Sequence, residues 1–287
     1  MRRYSPAGIP CGKLLYSLNT TGNKSLNLTY KKEQTIMKIG IITGASSGLG
    51  VEFYKELQNE NLDEIWVVAR RENRLTELKE NYGKLATRVV AMDLTTSENM
   101  AKFQTVLAEE KPEVKFLINN AGFGTIGNLD EADYKTQGKI VELNVRALTE
   151  LTTIVLPFMN ENSYIVNVCS IASFVPNARM TVYSATKAYV MSFTKSLRYE
   201  LKNRKINVTA ICPGPMDTEF LSVTGIEKGT SKTFDTLPRC SIEKTAKYGL
   251  RAAKKGRCVY TPHPFYKFYR VLAKILPHNF LMGASKT

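Results

Sequence analysis

The chain has 287 residues, with 40 Lys+Arg against 26 Asp+Glu, 43% apolar residues, five Cys and two His. That length supports a substantial hydrophobic core, and the apolar content excludes a wholly disordered chain. No apolar run reaches the roughly 18 residues that a membrane-spanning helix needs. The five cysteines form no CxxC pair, and His263 and His278 are the only histidines. Neither a disulfide framework nor a metal site is therefore expected, and a reducing, cytoplasmic setting is the default.

The formal charge of +14 is unevenly placed: residues 1–36 carry +5, residues 37–243 carry −1, and residues 244–287 carry +10 with no acid. A neutral body without an aromatic-interleaved basic motif argues against a nucleic-acid partner. The charged ends instead suit an anionic surface or ligand. Residues 1–36 show neither strand alternation nor helical period and are rich in Asn, Thr, Ser and Gly. They read as a disordered extension or as sequence upstream of a native start at Met37 in a bacterial gene. Lys32-Glu33 allows codons that spell a purine-rich ribosome-binding sequence just before that Met. The expected layout is this extension, a single body over 37–261, and a basic tail over 262–287.

From residue 38 the chain alternates β-branched runs with helical periods. Strands are predicted over 38–43, 64–69, 87–91, 115–119, 163–169, 206–212 and 257–261. Helices are predicted over 49–60, 97–110, 134–158, 182–203 and 242–255. Seven apolar strands separated by helices predict one α/β domain with a doubly wound, Rossmann-like parallel sheet covered on both faces. In such sheets ligands sit beyond the carboxyl ends of the strands.

The first strand runs into Thr43-Gly44-Ala45-Ser46-Ser47-Gly48-Leu49-Gly50 and then a helix. Glycines there allow a tight turn and a close approach of backbone to a pyrophosphate at a helix N-terminus. The second strand ends in Ala69-Arg70-Arg71. No carboxylate stands where it would meet a ribose 2′-hydroxyl, whereas two guanidinium groups suit a 2′-phosphate. NADP(H) is therefore expected over NAD(H). Later in the chain, Tyr183 and Lys187 lie four apart on a helix and share a face. A neighbouring ammonium favours a phenolate and eases proton exchange with a substrate oxygen. Ser170 closes the strand before that helix, where its hydroxyl can reach the same oxygen. Asn144 sits among apolar residues of a long helix, which demands a hydrogen-bonding partner.

Together these segments resemble the short-chain dehydrogenase/reductase family in its compact, single-domain type, over residues 37–261. The resemblance rests on Thr43–Gly50, Asp93-Leu94, Asn119-Asn120-Ala121-Gly122, Asn144, Ser170, Tyr183-x3-Lys187 and Pro213-Gly214-Pro215 with Thr218. It implies hydride transfer between nicotinamide and a carbonyl or alcohol carbon, with no metal. In that scheme Tyr183 is the proton donor and Ser170 polarises the carbonyl. Lys187 holds the nicotinamide ribose and lowers the tyrosine pKa, and Asn144 supports a proton relay. Cofactor contacts are implied for Gly44, Ser46, Ser47, Gly48, Leu49, Gly50, Arg70, Arg71, Asp93 and Leu94. Further contacts are implied for Asn120, Ala121, Gly122, Tyr183, Lys187, Pro213, Gly214 and Thr218. Ser47 departs from a frequent NADPH pattern, which places Arg or Lys there. A homodimer or homotetramer is also implied. A non-catalytic NADP(H)-binding sensor and a sugar-nucleotide epimerase are the alternatives.

Cys169, Cys212 and Trp66 read as core, and Cys240 and Cys258 receive no function. The long connection over 216–241 reads as a substrate lid with an apolar inner face from Phe220, Leu221, Val223 and Ile226. The segment 264–276 reads as a basic amphipathic helix. Phe265, Phe268, Tyr269, Leu272, Ile275 and Leu276 are expected on one face, opposite Lys267, Arg270 and Lys274. That face is expected to pack over the substrate cleft or a neighbouring subunit, with weak peripheral contact to an anionic membrane as the alternative.

Overall fold

The computed structural model describes residues 36–225 and 235–284. The expectations for residues 1–35 and for Ile226 lie outside the described residues. The chain opens with β1 (Lys38–Thr43), α1 (Gly48–Leu57), β2 (Glu64–Ala69), α2 (Glu72–Tyr82), β3 (Ala86–Ala91) and α3 (Ser97–Glu110). Then come β4 (Glu113–Asn119), α4 (Tyr134–Val141), α5 (Leu148–Val155), β5 (Tyr164–Val168), α6 (Thr181–Glu200) and β6 (Asn207–Ile211). The remaining elements are α7 (Glu219–Val223), α8 (Ile242–Lys254), β7 (Val259–Tyr260), α9 (Pro264–Ile275) and α10 (His278–Ala284).

The seven strands form one parallel sheet in the order β3-β2-β1-β4-β5-β6-β7. The chain winds outward from β1 to one edge, returns to β4 beside β1, and winds to the other edge. This reversal leaves a crevice beyond the carboxyl ends of β1 and β4, where such sheets bind ligands. Alternate strand residues feed two cores. Ile39, Ile41, Trp66, Val68, Leu117 and Ile165 pack under α3, α5 and α6, against residues such as Phe103, Leu151 and Leu197. Ile42, Ile65, Val67, Phe116, Ile118 and Val166 pack under α1, α2 and α8, against Phe53, Leu75 and Leu250. Burial on both faces explains why the strands read as continuous apolar runs. No described helix is long and apolar enough to cross a membrane.

Three departures from the sequence reading matter for the site. The helix expected over 134–158 is broken by a π-helical turn, Glu142–Ala147, between α4 and α5. Its extra residue per turn re-aims the side chains within it, and Asn144 is one of them. The seventh strand, Val259–Tyr260 at the sheet edge beside β6, is shorter than expected. In α9 the anchored residue is Tyr266, fully buried, whereas Phe265, Phe268 and Ile275 of the expected packing face are exposed. Shape decides this. The Tyr266 ring fills a notch over Gly214, where a Cβ would stand 2.1 Å from it. Its hydroxyl donates to Pro238 O at 2.7 Å.

A buried polar ladder crosses the sheet just below the crevice. Asn119 Nδ2 donates to Asn167 Oδ1 (2.9 Å) and Thr152 Oγ1 (3.0 Å), and Asn167 Nδ2 donates to Thr194 Oγ1 (2.9 Å). These bonds pin α5 and α6 to the central strands. Leaving one such buried group unsatisfied costs about 1–3 kcal/mol.

Candidate active site

The turn after β1 is closed by neighbours that only glycine admits. Gly44 takes a left-handed φ of 64°, and a Cβ there would meet the Ala121 backbone at 2.9 Å. A Cβ on Gly50 would stand 2.2 Å from Gly44 O. Asn120 staples the turn by donating from Nδ2 to Thr43 O and Gly44 O at 3.0 Å each. Thr43 Oγ1 in turn accepts from the Asn120 and Ala121 N–H groups. At the start of α1, the Ser47 side chain makes no capping bond and the first turn holds no acid. The partial positive charge of that helix N-terminus suits an anion. The turn therefore fits a dinucleotide pyrophosphate.

The two arginines after β2 diverge. Arg71 donates to Ser46 Oγ from Nε and Nη2, at 3.3 and 3.1 Å, which places its guanidinium beside the glycine turn. The same group pairs with Glu219 at the start of α7, 2.8 Å away, and Arg74 approaches that carboxylate at 3.5 Å. Bonding from Arg71 holds the Glu219 carboxyl below its usual range. Arg70 is exposed and acts on Asp93 instead. Burial would raise Asp93, yet bonds from Thr95 and the charge of Arg70 hold it low. Neither Glu219 nor Arg74 was expected at the site. The signal for Glu219 was its place next to Thr218. The side chains of Leu49 and Leu94 are buried in the two cores.

Beyond β5, the pieces of the expected catalytic set converge. Ser170 is extended; its Oγ accepts the Ala172 N–H at 3.1 Å, and its hydroxyl lies near enough to the Tyr183 phenol to lower its pKa. Lys187 donates from Nζ to Val168 O at 2.9 Å and lies 5.7 Å from the centre of the Tyr183 ring. Asn144 grips the loop after β4 as a strand would: Oδ1 accepts the Phe123 N–H and Nδ2 donates to Phe123 O, at 3.0 and 2.8 Å. Its second amide hydrogen goes to Thr186 Oγ1 on α6, which answers the need for a partner. A Cβ on Gly122 would press on Asn144 Oδ1 at 2.9 Å and on Lys187 Nζ at 3.4 Å, so this loop seats all three residues together.

Burial sets the electrostatics. It pushes the Tyr183 phenol above its ordinary range, against a smaller lowering by the Ser170 hydroxyl. It also pulls Lys187 below the usual lysine value, against a smaller raising by Cys169 and Cys212. Lowering of the tyrosine by Lys187, expected from the sequence, does not dominate here because both groups are enclosed in protein. Cys169 and Cys212 are core residues packed with Leu148, Val190 and Ala210.

On the substrate side, Tyr183 packs with Ala172 and Met180, against Ile126, Phe220 and Leu221. The Phe220 ring is 5.8 Å from that of Tyr183. Thr218 caps α7 by accepting the Phe220 N–H and stands 3.2 Å from a Cβ built on Gly48, so it reaches the glycine turn. Pro213 O accepts the Ile171 N–H, and Pro215 O accepts the Cys240 N–H. The Pro213–Gly214–Pro215 loop is thereby tied to the segment after Ser170, to Cys240 and, through Gly214, to Tyr266. No group of three or more residues able to hold a metal occurs among the described residues.

This geometry has counterparts. The family described as short chain dehydrogenase matches residues 38–228. An uncharacterized oxidoreductase of Staphylococcus saprophyticus is 31% identical over 219 residues, 75% of this chain and 91% of that one. Sulfoacetaldehyde reductase 2 of Chromohalobacter salexigens is 33% identical over 211 residues, covering 70% and 82% of the two chains. A short-chain dehydrogenase from Sphingobium yanoikuyae, solved in complex with NADPH, superposes with a TM-score of 0.70 at 27% identity, covering 86% and 96%. The chain belongs to the short-chain dehydrogenase family and is an oxidoreductase of the nicotinamide-dependent kind.

Proposed function

We propose that the protein is an NADP(H)-dependent reductase or dehydrogenase of a small carbonyl or alcohol substrate, with Tyr183 as its acid and base. The observation that carries this reading is the convergence of Ser170, Tyr183 and Lys187 at the carboxyl end of β5, with Lys187 Nζ 5.7 Å from the centre of the tyrosine ring. When bound, the cofactor supplies or accepts the hydride. The chain's part is to hold a substrate oxygen between two hydroxyls and to move one proton. In reduction, the Tyr183 hydroxyl donates its proton to the carbonyl oxygen, and Ser170 donates a hydrogen bond to the same atom. Lys187 spends one donor on Val168 O. Its other two remain for a ribose hydroxyl and for stabilising the phenolate left on Tyr183. Asn144 holds the loop over Lys187 and supports return of a proton. A neutral phenol is the form that reduction requires, and burial favours that form.

Preference for NADP(H) is supported by Arg71, seated beside Ser46 where a 2′-phosphate would lie, with Arg70 as a second cation nearby. The apolar wall of Ala172, Met180, Ile126, Phe220 and Leu221 suits a substrate whose body is hydrocarbon rather than charged. A homodimer or homotetramer in the cytoplasm completes the reading. Cys169, Cys212, Cys240 and Cys258 are free thiols, as a reducing compartment would leave them.

A Tyr183→Phe variant tests the assignment. Loss of a positioned proton donor costs about 10²–10⁴ in turnover. NADPH binding should persist in the variant. Turnover that survives unchanged would remove Tyr183 from the chemistry. Cofactor binding with no turnover of any carbonyl or alcohol by the wild type would leave a cofactor sensor.

A further inference from the structure

The helix α9 presents two opposite faces. One is fixed inward by Tyr266, with Tyr269 leaning on Phe174 and Arg270 donating to Val259 O and Thr261 Oγ1. The other carries large apolar side chains left about half open or more: Phe265 is 47% exposed, Phe268 63%, Val271 49% and Ile275 72%. At 100° per residue these four fall on one side of the helix, and Lys267 and Lys274 lie together along one edge of it. Phe280 of α10 is another exposed ring, 69% open. Leaving a ridge of this kind in water is unfavourable, and such a patch marks a contact surface.

We propose that this face of α9 is a docking surface for an anionic lipid bilayer, in whose interface the helix lies parallel to the membrane plane. Charge selects the occupant. Residues 244–287 hold ten basic residues and no acid, and of these Lys267 and Lys274 are exposed on α9 itself, whereas Lys254 is paired with Glu60. A second copy docked on the same ridge would bring two such ends together and oppose Lys267 and Lys274 with their own counterparts. An acidic lipid surface meets the cations and accepts the aromatic and aliphatic side chains at headgroup depth. Arg270 takes no part, since it is turned to the β7 backbone. The inference does not depend on which substrate the enzyme reduces.

The test uses the full chain in co-sedimentation with vesicles of phosphatidylcholine alone, or with about one third phosphatidylglycerol. Binding is expected with the anionic vesicles only, weakening as salt is raised. Residues 1–36 also carry net positive charge, so variants decide. Lys267→Ala with Lys274→Ala should weaken binding by roughly thirtyfold, about fivefold per cation. Phe268→Ser with Ile275→Ser should abolish binding while NADPH affinity and circular dichroism stay unchanged. Anionic binding that both double variants retain would overturn the proposal, as would no pelleting at all. If the serine variant instead dissociates an oligomer in light scattering without altering lipid binding, a second copy covers the ridge and the proposal fails.

Discussion

Arg71 at the end of β2 and Glu219 at the start of α7 form an ion pair, Nη1 to Oε2 2.8 Å, across a sequence separation of 148 residues. The pair joins the edge of the glycine turn to the first residue of α7. Both side chains are more than 40% exposed, so solvent screening limits the pair to about 1 kcal/mol or less. A 2′-phosphate would compete with Glu219 for the same guanidinium.

Glu219→Gln removes that competitor. NADPH binding should tighten by up to about fivefold, the ceiling set by an exposed pair of this kind, while NADH binding stays put. Arg71→Ala should weaken NADPH by about tenfold or more, as loss of a charge-assisted bond to phosphate does. Fluorescence titration with both cofactors checks the pair of variants. Equal NADPH and NADH affinities in the wild type would discard the 2′-phosphate reading.

Tyr183 should titrate late in the cofactor-free protein. Its pKa lies above the ordinary value of about 10 because burial penalises the phenolate. Raising pH through that value should therefore leave the phenol neutral while exposed tyrosines ionise. The wild-type minus Tyr183→Phe difference in phenolate absorbance reports this group alone. Oxidised cofactor, whose nicotinamide ring is cationic, should move the transition to lower pH. A difference signal near neutral pH without cofactor would contradict the burial argument.

Gly50→Ala should damage both stability and cofactor binding, because its Cβ would lie 2.2 Å from Gly44 O, a backbone atom that cannot swing away. Overpacking of this kind costs about 1–3 kcal/mol. A lower melting temperature together with weakened NADPH binding is expected. A fully stable variant with wild-type affinity would show that the turn is looser than drawn.

Tyr266 offers a graded test of the α9 anchor. Tyr266→Phe removes the bond to Pro238 O and should cost about 1 kcal/mol. Tyr266→Ala also empties the notch over Gly214 and should cost about 3–5 kcal/mol. Limited proteolysis should then cut within 216–241 in the alanine variant first, since it loses both the bond to Pro238 O and the ring packed on Gly214. Equal proteolysis rates across all three proteins would detach the lid from α9.

The parallel sheet was legible because strands buried on both faces leave unbroken β-branched runs. The glycine turn and the Tyr183–Lys187 pair were legible because their meaning lies in short spacings. What escaped the sequence was set by tertiary partners. Nothing local marks the π-helical turn that aims Asn144 at Phe123, although a lone amide among apolar residues was itself a signal. The Asn119–Asn167 ladder depends on two strands lying in register. The inward face of α9 was misread for a related reason. Counting apolar residues favours Phe265, Phe268 and Ile275, whereas the notch above Gly214 admits a flat ring with a polar tip, which is Tyr266.

The seating of Tyr266 on Gly214 also bears on the order in which the molecule is finished. The Pro213–Pro215 loop leaves the ribosome with β6, but the ring that closes it is translated only after β7. A domain folds as a unit once enough of its chain has emerged. A nascent chain halted before α9 would hold the glycine turn and Tyr183, yet its loop would lack a wall. Cofactor capture by stalled chains should consequently appear in full only once α9 has cleared the exit tunnel.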